Sequence, residues 1–193
     1  MGRWEPETRE RLERAALELF LEQGFDRVTV PAITARAGLT TRTFHRHFRD
    51  KREVLFADAD QMPVLAARLV RDAPPHLGPV DVVAHGLPTL AAAFEGRRAH
   101  LKQRKVIIDG HDGLRERELR KMETLVEAIA DAFRARGVED VTAAAVAETA
   151  VGLVKLALRR WVDSAEHQSL NAIMTDAFAR LCDAFQQPHA RQH

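Results

Sequence analysis

The chain has 193 residues, of which 46% are hydrophobic and 30% charged, and a formal net charge of +1, the mark of one or two folded domains rather than a disordered tail. Alanine, leucine, arginine and glutamate dominate and β-branched runs are scarce, which favours an all-α chain. The single cysteine, Cys182, excludes an internal disulfide, and with no apolar leader and no run of ~20 apolar residues the chain is expected in the cytoplasm with no membrane partner.

From the N-terminus, residues 6–23 place Leu12, Ala15, Ala16, Leu19 and Phe20 at helical spacing, and Gly24 ends the pattern. Glutamates outnumber Arg9, Arg11 and Arg14 there, so this helix reads as a support, preceded by Arg3 and Trp4 as a short arm. Thr29 can cap a second, short helix with Pro31 in its first turn, an apolar stripe of Ile33 and Ala37, and Gly38 as a left-handed stop. Leu39 plugs the turn and Thr40 caps a third helix that runs to about Phe48. Two short helices joined by a tight glycine turn form a helix-turn-helix pattern.

In the third helix Phe44 and Phe48 share one side, so Arg42, His45, Arg46 and Arg49 point away from them, flanked by Thr41, Thr43 and His47. Residues 27–52 hold seven basic groups (Arg27, Arg36, Arg42, Arg46, Arg49, Lys51, Arg52) against Asp50 alone. A local basic cluster in a nearly neutral chain attracts polyanions, and a short helix with an aromatic foot and a basic outer face suits the major groove of double-stranded DNA. Arg42 and Arg46 are expected at base edges, Thr29, Thr41, His47 and Lys51 at phosphates, with Thr40, Thr43 and His45 completing the surface.

Asp50 and Glu53 are spaced as a capping box, and residues 50–71 read as one helix disturbed at Pro63. The run from Pro74 to Pro79 is a linker. Helices follow at about 79–96, kinkable at Gly86 and Pro88, at 98–109, at 114–136 with Leu119, Met122, Ile129 and Phe133 on one face, at 142–165 capped by Thr142, and at 169–187. The sum is about nine helices. Residues 1–55 are expected as the helix-turn-helix domain and residues 56–193 as a helical bundle for ligand binding and dimerisation.

The middle of the 142–165 helix is apolar nearly all round, which asks for burial on more than one side. Ala150, Val154 and Leu158 there, with Phe178 and Leu181 of the last helix, are expected at a subunit interface; the alternative is the central helix of a monomeric bundle. Phe94, Leu101, Arg104, Ile108, Met122, Phe133 and Trp161 are the expected lining of a chamber for a small molecule, anionic if Arg104 turns inward.

No glycine-rich phosphate loop, G-x-S-x-G or H-E-x-x-H is present, so no catalytic residues and no cofactor are expected. His100, Asp109, His111 and Asp112 are too loosely spaced to argue a metal site, and Cys182 falls in an apolar pattern expected to bury it.

RERLERAALELFLEQGF (residues 9–25) followed by TVPAITARAGLTTRTFHRHFRDKREVL (29–55) resembles the N-terminal domain of the tetracycline-repressor (TetR) family of bacterial transcriptional regulators. The resemblance implies a homodimer joined by a four-helix bundle of the last two long helices, and a repressor released from a palindromic operator by a small-molecule effector. His45 stands where the family usually has Tyr, and Pro31 where many members carry a polar or basic residue, which shifts specificity toward the third helix. The alternatives are a helical-bundle ligand-binding protein or enzyme with a vestigial helix-turn-helix, or a transcriptional activator.

Overall fold

The computed structural model describes residues 5–57, 61–164 and 168–186; the arm expected at Arg3 and Trp4 lies outside them. Among the described residues the helices are α1 (Glu5–Gln23), α2 (Val30–Ala37), α3 (Thr41–His47), α4 (Gln61–Arg71), α5 (Pro79–Ala92), α6 (Arg98–Asp109), α7 (Asp112–Ala135), α8 (Asp140–Asp163) and α9 (Leu170–Gln186), with a 3-10 turn at Glu53–Phe56. The described residues contain no strand.

The chain divides into two units that no single cut at residue 55 separates. One holds residues 1–60 and 100–121, the other 61–99 and 122–193. Both α6 and α7 therefore have residues in each unit.

In the first unit the α1 stripe of Leu12, Ala15, Ala16, Leu19 and Phe20 is buried with Ile33, Phe44, Phe48 and the Val54–Phe56 turn. Ile107, Ile108 and Leu114 complete that core from α6 and α7, which is why residues 100–121 belong here. Phe44 has no exposed surface; cutting so enclosed a ring back to alanine costs about 3–5 kcal/mol.

The expected helix from Asp50 to Arg71 is not formed as one piece. Asp50 Oδ1 accepts from the amides of Arg52 (2.7 Å) and Glu53 (3.1 Å), and Glu53 Oε2 accepts from the Arg49 amide (3.0 Å), but this capping box opens only a 3-10 turn. The reason is packing: Val54, Leu55 and Phe56 are all buried, and three consecutive residues cannot all lie on one face of an α-helix. Pro63 then falls in the first turn of a separate α4, where its missing N–H costs little.

The core of the second unit is built mostly from small residues. Ala66, Ala67, Ala130, Ala132, Ala143 and Ala147 pack with Val70, Val82, Ile129 and Phe133. Gly86 does not kink α5: it packs beside Leu69 of α4, with room for a Cβ at an ordinary 3.7 Å, and the helix also continues through Pro88. Arg136 closes the end of α4, donating to the carbonyls of Val70 (3.2 Å), Ala73 (2.6 Å) and Pro74 (2.9 Å).

α8 starts two residues before the expected cap. Glu139 accepts from the amides of Val141 (3.0 Å) and Thr142 (2.9 Å), and the Thr142 hydroxyl donates to the same carboxylate. α8 is also long and apolar enough, by length and composition, to cross a membrane, contrary to the expectation that no segment is. Glu148 and Lys155 interrupt its apolar run and hide it from a scan for unbroken runs; a helix buried within a bundle has the same composition. It buries Ala143, Ala147, Val151, Leu153, Ala157, Trp161 and Val162, and α9 packs on it and on α5. Cys182 on α9 is half-buried rather than sealed in the core.

Candidate nucleic-acid interface

The outer surface of α3 is set by how its two neighbours end and begin. Thr29, in extended backbone, accepts from the Ala32 amide (3.3 Å) and starts α2, with Pro31 in the first turn. Gly38 at φ +64° ends it: its amide reaches Ala35 O (3.1 Å) and the Leu39 amide reaches Thr34 O (2.8 Å). Arg11 adds a donor that the sequence did not single out, 2.6 Å from the Ala37 carbonyl. Thr40 then caps α3, accepting from the Thr43 amide (3.1 Å) and sharing a hydroxyl contact with Thr43 (2.9 Å).

With Phe44 and Phe48 packed inward at 5.4 Å between ring centroids, α3 turns Thr41, Arg42, His45 and Arg46 to solvent, with Thr43 and His47 half-buried beside them. Arg9 lies 5.8 Å over the Phe48 ring and holds Glu13. Arg46 comes within 3.5 Å of His47 Nε2.

Two of the seven clustered cations are engaged inside the fold. Arg36 makes a two-pronged bridge to Glu22 (2.8 and 3.0 Å) and reaches Glu18 at 3.5 Å. The Arg36 hydrogen bond lowers the Glu22 pKa and the reciprocal bond raises that of Arg36, each against a smaller opposing effect of burial. Lys51, expected at a phosphate, instead turns its ammonium onto three carbonyls, Phe25 (2.8 Å), Asp26 (3.0 Å) and Val28 (2.9 Å), and lies 4.5 Å over the Phe25 ring. All three of its protons are used in holding the loop between α1 and α2. Arg27, Arg42, Arg46, Arg49 and Arg52 remain exposed, without an ion pair among the described residues.

The same loop is held by His111, a contact between positions 85 apart in sequence that no local pattern signals. His111 Nε2 lies 3.1 Å from Asp26 Oδ1, its ring meets the Phe25 ring edge-on at 5.0 Å, and Nδ1 accepts from the Leu114 amide (3.3 Å). The four groups weighed for a metal are dispersed, with Asp109 on Lys105 and Asp112 on Arg115.

The seven residues expected to line one ligand chamber divide between the units. Leu101, Arg104 and Ile108 belong to the first, Phe94, Met122, Phe133 and Trp161 to the second. Arg104 is not free for an anionic ligand: Nε donates to Leu55 O (2.5 Å), the guanidinium pairs with Glu118, and it lies 5.1 Å over Phe56. Burial pushes the Glu118 carboxyl up, but the hydrogen bond and charge of Arg104, with the charge of Lys121, hold it below its ordinary value. Arg117 covers Phe56 at 4.9 Å, and Ile108 is buried in the core beneath. In the second unit Phe94, Phe133 and Trp161 are buried, Met122 is half-buried, and Arg98 lies 5.8 Å over Trp161.

Ala150, Val154, Leu158, Phe178 and Leu181 are all half-buried within one chain. Leu156 (50% exposed) and Phe185 (79%) stand on the same two helices with their apolar surface open.

A short basic helix whose phenylalanines sit in the core of the first unit, in a chain with a second helical unit, defines a helix-turn-helix regulatory protein. Residues 13–57 match the family model "Bacterial regulatory proteins, tetR family" and residues 77–186 match "MftR C-terminal domain". The chain belongs to the TetR family of bacterial transcriptional regulators. It is 46% identical over 68 residues to the transcriptional regulator TcmR of Streptomyces glaucescens, covering 34% of this chain and 30% of that protein. It is 43% identical over 75 residues to the uncharacterised regulator TtgW of Pseudomonas putida, covering 37% of this chain and 52% of that one. These alignments thus span only about a third to a half of the curated relatives.

Solved structures match along nearly the whole chain. The Thermus thermophilus repressor FadR, in complex with lauroyl-CoA, gives a TM-score of 0.59 at 24% identity over 96% of this chain and 98% of that one. SmeT of Stenotrophomonas maltophilia, in complex with triclosan, gives 0.64 at 21% over 97% and 98%. A regulator of Syntrophomonas wolfei gives 0.66 at 14% over 97% and 99%. At these identities the likeness is one of fold.

Proposed function

We propose that the chain is a homodimeric transcriptional repressor that binds a palindromic operator through α3 and leaves it when an apolar or amphipathic small molecule occupies the second unit. The observation that carries this reading is the outer face of α3, where Thr41, Arg42, His45 and Arg46 are exposed while both phenylalanines are buried. Arg42 and Arg46 reach base edges; Thr29, Thr40, Thr41, Thr43, His45 and His47 contact phosphates. The protein acts in the cytoplasm, as access to DNA requires, and as a regulator rather than an enzyme.

The effector class is supported by two fold relatives, one in complex with lauroyl-CoA and one with triclosan. Arg104, paired with Glu118, offers no free cation to an anionic effector. α6 and α7, each with residues in both units, are the elements through which an effector changes the DNA-reading unit. An effector alters operator affinity only by its different affinity for the two conformations.

The test begins with a duplex selected by the protein from a randomised pool. Arg42→Ala and Arg46→Ala are expected to weaken binding to it by about 1–3 kcal/mol more than binding to a scrambled duplex. Equal losses on both duplexes would remove these arginines from base readout. Lauroyl-CoA and triclosan are the first probes for thermal stabilisation, and a stabilising probe is expected to raise the operator Kd.

A further inference from the structure

We propose that DNA binding by this chain is coupled to protonation of His45, which acts as a phosphate donor whose charge is set by pH. The inference rests on α3 being the DNA-reading helix.

His45 stands exposed on the outer face of α3, three residues after Arg42 and four before Arg49. Its ring meets Phe44 edge-on, with centroids 5.5 Å apart at 85°, so the inner side of the imidazole is braced by a buried residue. Among the described residues it makes no hydrogen bond or ion pair, so both ring nitrogens are available. On α3 and just beyond are Arg42, Arg46, His47 and Arg49, all cationic or neutral. The only charged residue of α2, Arg36, is turned to Glu18 and Glu22 of α1. From α1, Arg9 covers Phe48 and is itself paired with Glu13. The nearest carboxylates in sequence are committed: Asp50 to the amides of Arg52 and Glu53, and Glu53 to the Arg49 amide and to Arg117 at 3.9 Å.

No protein carboxylate is therefore paired with this imidazole, and the anion able to fix its charge comes from outside. Imidazole is the side chain whose charge changes near neutral pH. A phosphate oxygen at hydrogen-bond distance favours the charged ring, so the complex holds the proton more tightly than the free protein. Binding then takes up a proton, and affinity rises as pH falls. His47 differs: it is half-buried, lies 3.5 Å from the Arg46 guanidinium and packs on Phe48. A phosphate that favours the charged ring therefore tightens binding several-fold between pH ~8 and pH ~6 per recognition helix.

The experiment uses the full chain, a duplex selected from a randomised pool and a scrambled duplex of equal length. Kd is measured by fluorescence anisotropy at pH 6, 7 and 8 at fixed ionic strength. Calorimetry in two buffers of different ionisation enthalpy counts the protons taken up. The wild type is expected to bind several-fold more tightly at pH 6 than at pH 8. His45→Gln, which keeps a neutral donor, is expected to lose that dependence and bind at the weaker level throughout. His45→Lys, with a fixed charge, is expected to bind at the tighter level throughout. Circular dichroism checks that each variant is folded. Wild-type binding that does not change with pH, or a Gln variant with the full wild-type dependence, overturns the assignment to His45. Failure of the wild type to bind either duplex at any pH overturns the reading of α3 itself, a result distinct from both.

Discussion

Lys51 shows how a charge in a basic stretch can be unavailable to a polyanion. Its ammonium holds three carbonyls of the loop that delivers the chain to the Thr29 cap, so its effect on DNA binding is exerted through the fold. Lys51→Met is expected to lower stability by about 2 kcal/mol, since charged hydrogen bonds are lost and water satisfies the carbonyls only in part. Urea denaturation measures this loss. The salt dependence of duplex binding is expected to stay unchanged; a slope lower by roughly one would mean that Lys51 works on a phosphate. Gly38 presents a similar test of backbone geometry. Its φ of +64° disfavours any side chain, and a Cβ would lie 3.3 Å from Arg11 Nη2. Gly38→Ala is expected to cost about 1–2 kcal/mol, read from the same denaturation curves.

At the scale of elements, the 3-10 turn after α3 is held to the first unit by α6 and α7. Arg104 and Arg117 lie on the Phe56 ring, and Glu118 anchors Arg104. Because the folded Glu118 pKa lies below its ordinary 4.5, its stabilisation is complete above that value and is lost as pH falls through the lowered one. Arg104→Met removes the group that depresses it. The carboxyl is then left half-buried without its strongest partner and is no longer held below its ordinary value, so the variant is expected to lose less stability than wild type as pH falls through the carboxylate range, which flattens the acid limb of the Tm–pH curve. At neutral pH the variant is expected to be less stable by about 2 kcal/mol. An acid limb identical to wild type would show that the bridge carries no stability. At the head of α8, Glu139 behaves in the same direction. Its pKa is lowered by the backbone hydrogen bonds from Val141 and Thr142, so Glu139→Gln is expected to flatten the stability loss below the carboxylate range.

The whole molecule is where one chain leaves apolar surface open. Ala150, Val154, Leu158, Phe178 and Leu181 are half-buried, and Leu156 and Phe185 more open still. A second copy related by a two-fold axis would cover them, and two-fold symmetry is what a palindromic operator requires. The wild type is expected to sediment at twice the chain mass without DNA, and Val154→Glu or Leu158→Glu to shift it to the monomer. A monomeric wild type, or intact assembly in both variants, would remove this surface from dimerisation. Effector and operator are expected to be reciprocal: a probe that weakens duplex binding tenfold must itself bind tenfold more weakly to the duplex complex. Calorimetry of the probe with and without duplex measures this.

What the sequence determined by itself is what short-range physics fixes. Thr29 and Thr40 as caps, Gly38 as the left-handed stop and Phe44 with Phe48 as the inward pair are decided within a few residues of each position. The outward set on α3 follows from helical periodicity once that pair is known. The helix count and the half-open apolar faces of α8 and α9 follow from the same periodicity. Tertiary structure alone decided where long side chains end. Lys51 and Arg36 belong to a basic run in sequence, yet one reaches carbonyls about 25 positions away and the other a glutamate on α1. Arg104 meets Leu55 and Phe56 rather than a ligand because α6 folds back on the 3-10 turn, and His111 meets Asp26 across 85 positions. Lysine and arginine stems span several ångströms and find whichever carbonyl or carboxylate the packing brings near, so their partners are fixed by the contacts of the fold and not by the neighbours in the chain.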